Sequence, residues 1–535
     1  MGKDRTAQTG NAILVLVAMA LGVLIGLMCS DTFGRRTPST LLQGKMDEVL
    51  GLVDEEYVDS VNIDSLSEKL VAVLLNELDP HSTYLPPRLA EEKAEEMRGN
   101  FEGVGLMIRR EGDTSYVGQV IPDGPSCGSG LLPGDMLLAI DGDTVIGLPS
   151  DEVVARLRGA RGSRVEVAVA RCSASATGSE SLTFRLRRGV VFQPSLPYFD
   201  MLDDTTGYIM LTSFTETSHT EFRAALRQLK DRGMRHLIFD LRGNGGGSLQ
   251  SAVGICSELL PQGSLIMYTQ GLHVKRRNAV SHGGLYTHGR VTVLIDEESA
   301  SASEVVGGAL QDNDRALIVG RRSFGKGLVQ GSYQLKDGST VLLTTARYYT
   351  PSGRCIQRSY DDGTEEYYRE YVQRLIDETY SDSTVASIKD STPYYTAGGR
   401  TVYGGGGIIP DSIFPYRHDP SFVYYNQLTS LGLIALVPFD YVKGHAAELL
   451  EHYPDADAFC AGFRVPETLI EEVVRRGERQ NVKRDAASLR AQRRLMVNRI
   501  KAQIGKALYD DATFYRIMLQ EDEDVLKIMK QGNKN

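Results

Sequence analysis

Apolar and polar positions along this chain follow three different rhythms. The first is continuous: from Thr6 to Ser30 no residue is charged, and Ala12 to Met28 is almost wholly apolar. About 20 such residues let a helix cross a bilayer. Lys3 and Arg5 precede the run, and Asp31, Arg35 and Arg36 follow it. The flanks predict an N-terminal transmembrane helix over residues 1–30, a signal anchor with its N-terminus inside and the rest of the chain outside. A cleaved signal peptide is the rival, but Leu27-Met28-Cys29 is too bulky for a small-x-small cleavage site or for lipidation at Cys29. A buried core helix is the remaining alternative.

The second rhythm is helical. Over residues 31–97, Met46, Val49, Leu50 and Val53, and then Leu66, Leu70, Val73 and Leu74, recur at the spacing of amphipathic helices. Leu78-Asp79-Pro80-His81-Ser82 closes that region with a turn at its Asp-Pro step. The third rhythm is short and β-like. Over residues 98–188, Tyr116 to Ile121, Met136 to Ile140, Val165 to Val169 and Leu182 to Leu186 are separated by Gly, Pro and Asp clusters. That pattern predicts a small, mostly β module with one helix near Asp151 to Leu157.

Within residues 189–416 strands and helices alternate. Strands are predicted at Tyr208 to Leu211, His236 to Asp240, Val291 to Ile295 and Ala316 to Val319. Helices are predicted at His219 to Lys230, after Gly247, and at Ser301 to Gln311. Such β-α-β alternation implies a mixed or parallel sheet covered by helices. Residues 358–406 are rich in Tyr, Asp and Gly and read as an insertion; residues 417–535 read as a helical C-terminal region. The fold class is therefore multidomain α/β (α+β).

Composition narrows the function. The 535 residues are 41% hydrophobic and 24% charged, with a net charge of −10. Wholesale disorder and a polytopic membrane protein are excluded, and so acidic a chain is a poor nucleic-acid binder. Six cysteines, at 29, 127, 172, 256, 355 and 460, form no CxxC. They suit neither a disulfide scaffold nor a zinc ribbon. No metal or other cofactor is expected.

The chemistry concentrates in two stretches. Ser299-Ala300-Ser301-Ala302-Ser303-Glu304 follows a predicted strand and opens a helix. A serine held there has free N–H groups and helix dipole beside it for a developing oxyanion. Its hydroxyl needs a base, and a buried neutral lysine can serve; Lys326, in Phe324-Gly325-Lys326-Gly327, is the candidate. Ser/Ala runs also cap helices and allow close packing, which is the reading for Ser299 and Ser303. A P-loop reading of Gly320 with Gly325-Lys326 fails because Gly327 stands where Ser or Thr would bind magnesium. The second stretch, Asp240-Leu241-Arg242-Gly243-Asn244-Gly245-Gly246-Gly247, is a glycine loop whose N–H groups can face an anion. A plain tight crossover is its alternative.

These pieces resemble the C-terminal processing peptidases, or tail-specific proteases, which are serine peptidases with a Ser–Lys dyad and an embedded PDZ domain. The matching residues are Phe101-x-Gly103-Val104-Gly105, Leu132-Pro133-Gly134-Asp135, Asp240-Leu241-Arg242-x-Asn244-x-Gly246-Gly247, Ser299 to Glu304, and Phe324-Gly325-Lys326-Gly327-x-Val329-Gln330. Thr350-Pro351-Ser352-Gly353-Arg354 and Ile408-x-Pro410-Asp411 also fit, in family order over about residues 45–415.

The resemblance implies Ser301 as nucleophile, Lys326 as general base and Gln330 as support for the lysine. It implies an oxyanion hole from the N–H groups of Ala302 and Gly246, with Gly247 as the alternative. Residues 98–188 then become the PDZ domain, with Gly103, Val104, Gly105 and Leu106 offering N–H groups to a peptide's C-terminal carboxylate. Residues 189–416 become the peptidase core. Gly245 departs from the family's proline in this loop. The implied protein is a membrane-anchored endopeptidase facing the periplasm, acting on protein or peptide C-terminal tails. An inactive PDZ scaffold that only binds peptide tails is the alternative. The C-terminal helices are candidates for a homo-oligomer contact, an adaptor site or a cover for the cleft.

Overall fold

The computed structural model describes residues 40–172, 179–380, 392–415 and 419–532. The expected membrane anchor at 1–30 lies outside them. Among the described residues no single helix is long and apolar enough to cross a membrane. The helices Ser421–Ser430 and Leu433–His452 reach that length and composition only together, and they are bent by 55° where they meet. Leu433, Ile434 and Val437 are buried in the helical region's own core.

The chain divides into residues 1–74 and 75–535. The first unit holds the helix Thr40–Glu56 and most of Ile63–Asn76. Both predicted amphipathic patterns become helices, but Met46, Val49, Val73 and Leu74 stay exposed.

The second unit is organised around a six-stranded sheet in the order Tyr198–Met201, Thr206–Met210, His236–Asp240, Arg290–Ile295, Leu317–Gly320, Ser412–Ile413. The first pair is antiparallel and the others are parallel. Its strands are apolar on both faces because both are covered, as parallel sheets require. On one face Ile209, Leu237, Phe239, Val293 and Ile318 pack against helices Ser218–Asp231, Leu249–Leu259 and Ala302–Asp312. On the other, Tyr208, Ile238, Leu294 and Val319 meet Val525 and Ile528 of the C-terminal helix Glu523–Gly532.

An antiparallel sheet stands beside it. Thr340–Tyr349 pairs with Leu328–Gln334, with Leu265–Gln270 and with Thr83–Leu85. The last is a three-residue strand that the hydrophobic pattern did not signal. Helix Pro87–Arg98 then leads to the β module through the strand pair Asn100–Gly103 and Gly189–Phe192.

The module is a five-strand path of Leu106–Glu111, Thr114–Val120, Met136–Ile140, Arg164–Cys172 and Ser179–Arg187, with helix Ser150–Leu157 beside the first strand. The C-terminal helices pack on this sheet. Lys443 Nζ pairs with Glu111 at 2.6 Å, the Arg109 guanidinium lies 4.5 Å from the Phe439 ring centroid, and Gln119 Nε2 donates to the Tyr509 carbonyl at 3.3 Å. At Gly134 (φ +95°) a Cβ would stand 2.5 Å from Lys443 Cα, so the turn of Leu132-Pro133-Gly134-Asp135 accepts only glycine against that helix.

The segment expected as an insertion is partly built into the core. Its helix Thr364–Tyr380 sets Tyr367 and Tyr371 against Phe324 and the fully buried Arg358.

Candidate active site

The strand Arg290–Ile295 ends in a tight turn before the helix Ala302–Asp312. Asp296 folds that turn by accepting from the N–H groups of Ser299 at 3.0 Å and Glu298 at 3.1 Å. Ser301 sits at the helix N-cap with φ 55° and ψ −110°. A β-carbon residue in that region is strained, and the surroundings must hold it there. A strained serine between strand and helix is the geometry of an exposed nucleophile.

The glycine loop is stitched to that turn. The Asn244 carbonyl accepts from Ala300 N–H at 3.0 Å and from Ser303 Oγ at 2.8 Å, while Ser299 Oγ donates to the Leu241 carbonyl at 2.8 Å. Ser299 and Ser303 are thus packing residues, as their surroundings in sequence suggested. Gly246 (φ +99°) passes so close that a Cβ would lie 2.8 Å from Ser301 Cβ, which no side chain permits.

The N–H of Gly246, expected in the oxyanion hole, is engaged within the glycine loop. It donates to Asn244 Oδ1 at 2.9 Å, because the fully buried Asn244 folds its amide back two residues in an Asx turn. The N–H groups of Ala302 and Gly247 find no acceptor among the described residues. Ala302 opens the helix, so its N–H has no intrahelical partner. Gly245 has open space at its Cβ position, so nothing in this fold excludes the family's proline there.

Lys326 lies between the strands Leu317–Gly320 and Leu328–Gln334. Ser301, Lys326, Gln330, Gly246 and Ala302 all line one cleft of about 1020 Å³, which the helix Pro87–Arg98 also lines. Burial lowers the lysine's pKa from the ordinary 10.5, against the opposing pull of Glu304 and Asp79. Its Nζ donates to Gln330 Oε1 at 3.1 Å rather than to Ser301 Oγ. Catalytic hydrogen bonds often tighten only in the substrate complex.

Two groups that hold Ser301 and Lys326 in place carry no role from the sequence. Glu304, fully buried, accepts from Ser301 N–H (2.8 Å), Gly325 N–H (2.7 Å), Lys326 N–H (2.8 Å) and Ser323 Oγ (2.6 Å). One carboxylate therefore joins the serine turn to the lysine loop. Burial raises its pKa while the four donors oppose the rise.

The turn at Asp79 to Ser82 is the second group. Gln330 Nε2 donates to the His81 carbonyl, and Asp79 Oδ1 accepts from the N–H groups of His81 and Ser82, each at 2.8 Å. The cluster of Asp, His and Ser beside a proline was its only signal in sequence. His81 is held neutral, its pKa lowered to about 4 by burial and by Lys326.

The carboxylate-loop residues end on the β module's edge strand. Gly103 pairs with Gly189, Val104 is buried with its carbonyl accepting from Ser126 Oγ at 2.6 Å, and Gly105 has φ +76°. Leu106 opens the strand Leu106–Glu111, which among the described residues pairs on one side only. An edge with a helix alongside is where an extended peptide can add as a strand.

A serine at a strained strand-to-helix turn, a buried lysine in the same cleft and a β module with one open edge define a serine peptidase with a peptide-binding domain. Residues 205–366 match Peptidase family S41, residues 116–171 match a PDZ domain, and residues 424–510 match a family of unknown function. The chain is 32% identical over 322 residues to a carboxy-terminal-processing protease of Bartonella bacilliformis, covering 58% of this chain and 72% of that one. It is 36% identical over 267 residues to a carboxyl-terminal-processing protease of a Synechocystis species, covering 49% and 61%. A solved photosystem II D1 C-terminal processing protease is 29% identical over 57% of this chain and 82% of its own, with a TM-score of 0.33. The chain belongs to the carboxy-terminal-processing protease family: it is a serine-type peptidase with a PDZ domain.

Proposed function

We propose that this protein cuts protein substrates near their C-termini with Ser301 as nucleophile and Lys326 as base. The observation that carries the reading is the placement of a strained serine and a lysine of lowered pKa in one cleft. Neutral Lys326 Nζ takes the hydroxyl proton as Ser301 Oγ bonds to the scissile carbonyl carbon. The carbonyl oxygen gains the electron pair and lies against Ala302 N–H and a glycine-loop N–H. Gly247 supplies the second donor directly, and Gly246 does so once its N–H leaves Asn244. The tetrahedral centre collapses, the C–N bond breaks, and the departing amine takes the proton from Lys326. Water then gives a proton to Lys326 and its oxygen to the acyl carbon; the C–Oγ ester bond breaks, and Ser301 Oγ takes the proton back from Lys326.

The PDZ domain binds the substrate's tail through the loop Gly103 to Leu106 and the edge strand. Docking raises the local concentration of cleavable chain at the dyad. The apolar run at 12–28 anchors the enzyme, with its catalytic part on the periplasmic side. The full chain should pellet with membranes after carbonate extraction, and residues 31–535 should not; pelleting of both removes the anchor.

Mass spectrometry of fragments from a C-terminally tagged unfolded substrate tests the dyad. Wild type should release short C-terminal fragments, and Ser301→Ala and Lys326→Ala should each lower kcat by about 10³-fold or more with an unchanged circular dichroism spectrum. Full activity in either variant rejects the assignment.

A further inference from the structure

The end of the chain lies beyond the shared peptidase core, yet it reaches one arm of the catalytic loop. Arg242 leaves the glycine loop between Asp240, at the end of a central strand, and the oxyanion donors. Its guanidinium is mostly buried and faces three carboxylates. Nη2 pairs with Asp240 at 2.5 Å and with Asp522 at 2.7 Å, and Nη1 lies 3.3 Å from Asp524. Asp240 is fully buried and also accepts from Tyr208 Oη at 2.7 Å.

One carboxylate balances the guanidinium's charge but leaves much of its five-donor fork unused. Asp522 and Asp524 occupy the rest of that fork. They are fixed in turn by their helix: Asp522 Oδ1 caps it by accepting from Val525 N–H at 3.1 Å, and Val525 and Ile528 are buried against the central sheet. From Arg242 the constraint passes along two further residues to Asn244, whose carbonyl and amide are bonded to the serine turn, to Leu211 and to Gly246.

We infer that the C-terminal segment Asp522–Gly532 is a positioning element for catalysis, in which Asp522 and Asp524 hold Arg242 and so set the glycine loop against Ser301. This rests on the reading of Ser301 as nucleophile. The segment thereby acts on the transition state and not on capture of the substrate tail, which the PDZ groove performs. Removing an oxyanion donor outright costs about 10²–10³ in kcat, and a displaced loop costs part of that.

The test uses the full chain with the double variants Asp522→Ala/Asp524→Ala and Asp522→Asn/Asp524→Asn, the second conserving shape. Expected is a fall in kcat of about tenfold or more, with KM for an unfolded tagged substrate within about twofold of wild type. A peptide aldehyde, whose adduct with Ser301 places its oxygen in the oxyanion hole, should lose affinity in parallel with kcat. Asp522→Glu in the Asp524→Ala background should recover part of the rate lost in Asp522→Ala/Asp524→Ala. An unchanged kcat in the Asn variant overturns the inference. So does a loss matched by loss of folded protein in both variants, since the segment would then serve stability alone. If Ser301→Ala cleaves as well as wild type, it is the nucleophile reading that fails.

Discussion

At the scale of single residues the proposed dyad depends on the groups that hold Ser301 and Lys326 in place. Glu304 accepts from both catalytic loops, and its charge works to keep Lys326 protonated. Glu304→Gln removes that charge, so the lysine's pKa should fall further and the rising limb of the pH–rate profile should move to lower pH. The amide can also donate where the carboxylate only accepted. At least one buried N–H then loses its partner, at roughly 1–3 kcal/mol, or about five- to a hundredfold in kcat. Gln330→Ala should lower kcat by a similar factor with KM unchanged, because it frees Lys326 Nζ from the Gln330 Oε1 that holds it. A pH profile and a kcat/KM split on both variants check this; unchanged profiles would leave Glu304 and Gln330 without a part in catalysis. That Ser301, Lys326, Gln330 and Ala302 line one cleft agrees with the motif order from which they were picked. The engagement of Gly246 N–H by Asn244 was not readable, since it depends on a rotamer two residues away.

At the scale of elements, the sequence was most informative where its local pattern and its breakers agreed. Met136–Ile140 and His236–Asp240 have the predicted ends, and Ser150–Leu157 begins one residue early. Each is bounded by Gly, Asp or Pro and is long enough to show a period. Thr83–Leu85 has neither property: three residues carry no period, and the strand exists because Thr340–Tyr349, far along the chain, offers an edge. The helix Thr364–Tyr380 was obscured by composition. Its tyrosines look like surface residues, but Tyr367 is buried and 3.9 Å separates its ring centroid from the Arg358 guanidinium. Tertiary contact decided both elements, as it commonly does for short or polar segments.

At the scale of the whole molecule, changing rhythm in the sequence marks off a peptidase core, a PDZ domain and C-terminal helices, and in the structure all three lie within the compact unit 75–535. Their joins carry no such mark. Lys443 with Glu111 and Arg242 with Asp522 link residues hundreds of positions apart, and single charges in polar stretches give no pattern to read. The proposed chemistry requires Lys326, whose pKa burial lowers, to be neutral in its cleft and to serve Ser301. A fluorophosphonate with a peptide arm, mapped to its labelled residue by mass spectrometry, measures this most directly when the labelling rate is followed against pH. The predicted result is labelling at Ser301 with a rate that rises through one ionisation below the ordinary lysine value of 10.5, and loses that rise in Lys326→Met. Labelling at another residue, or the same pH dependence in Lys326→Met, would contradict it.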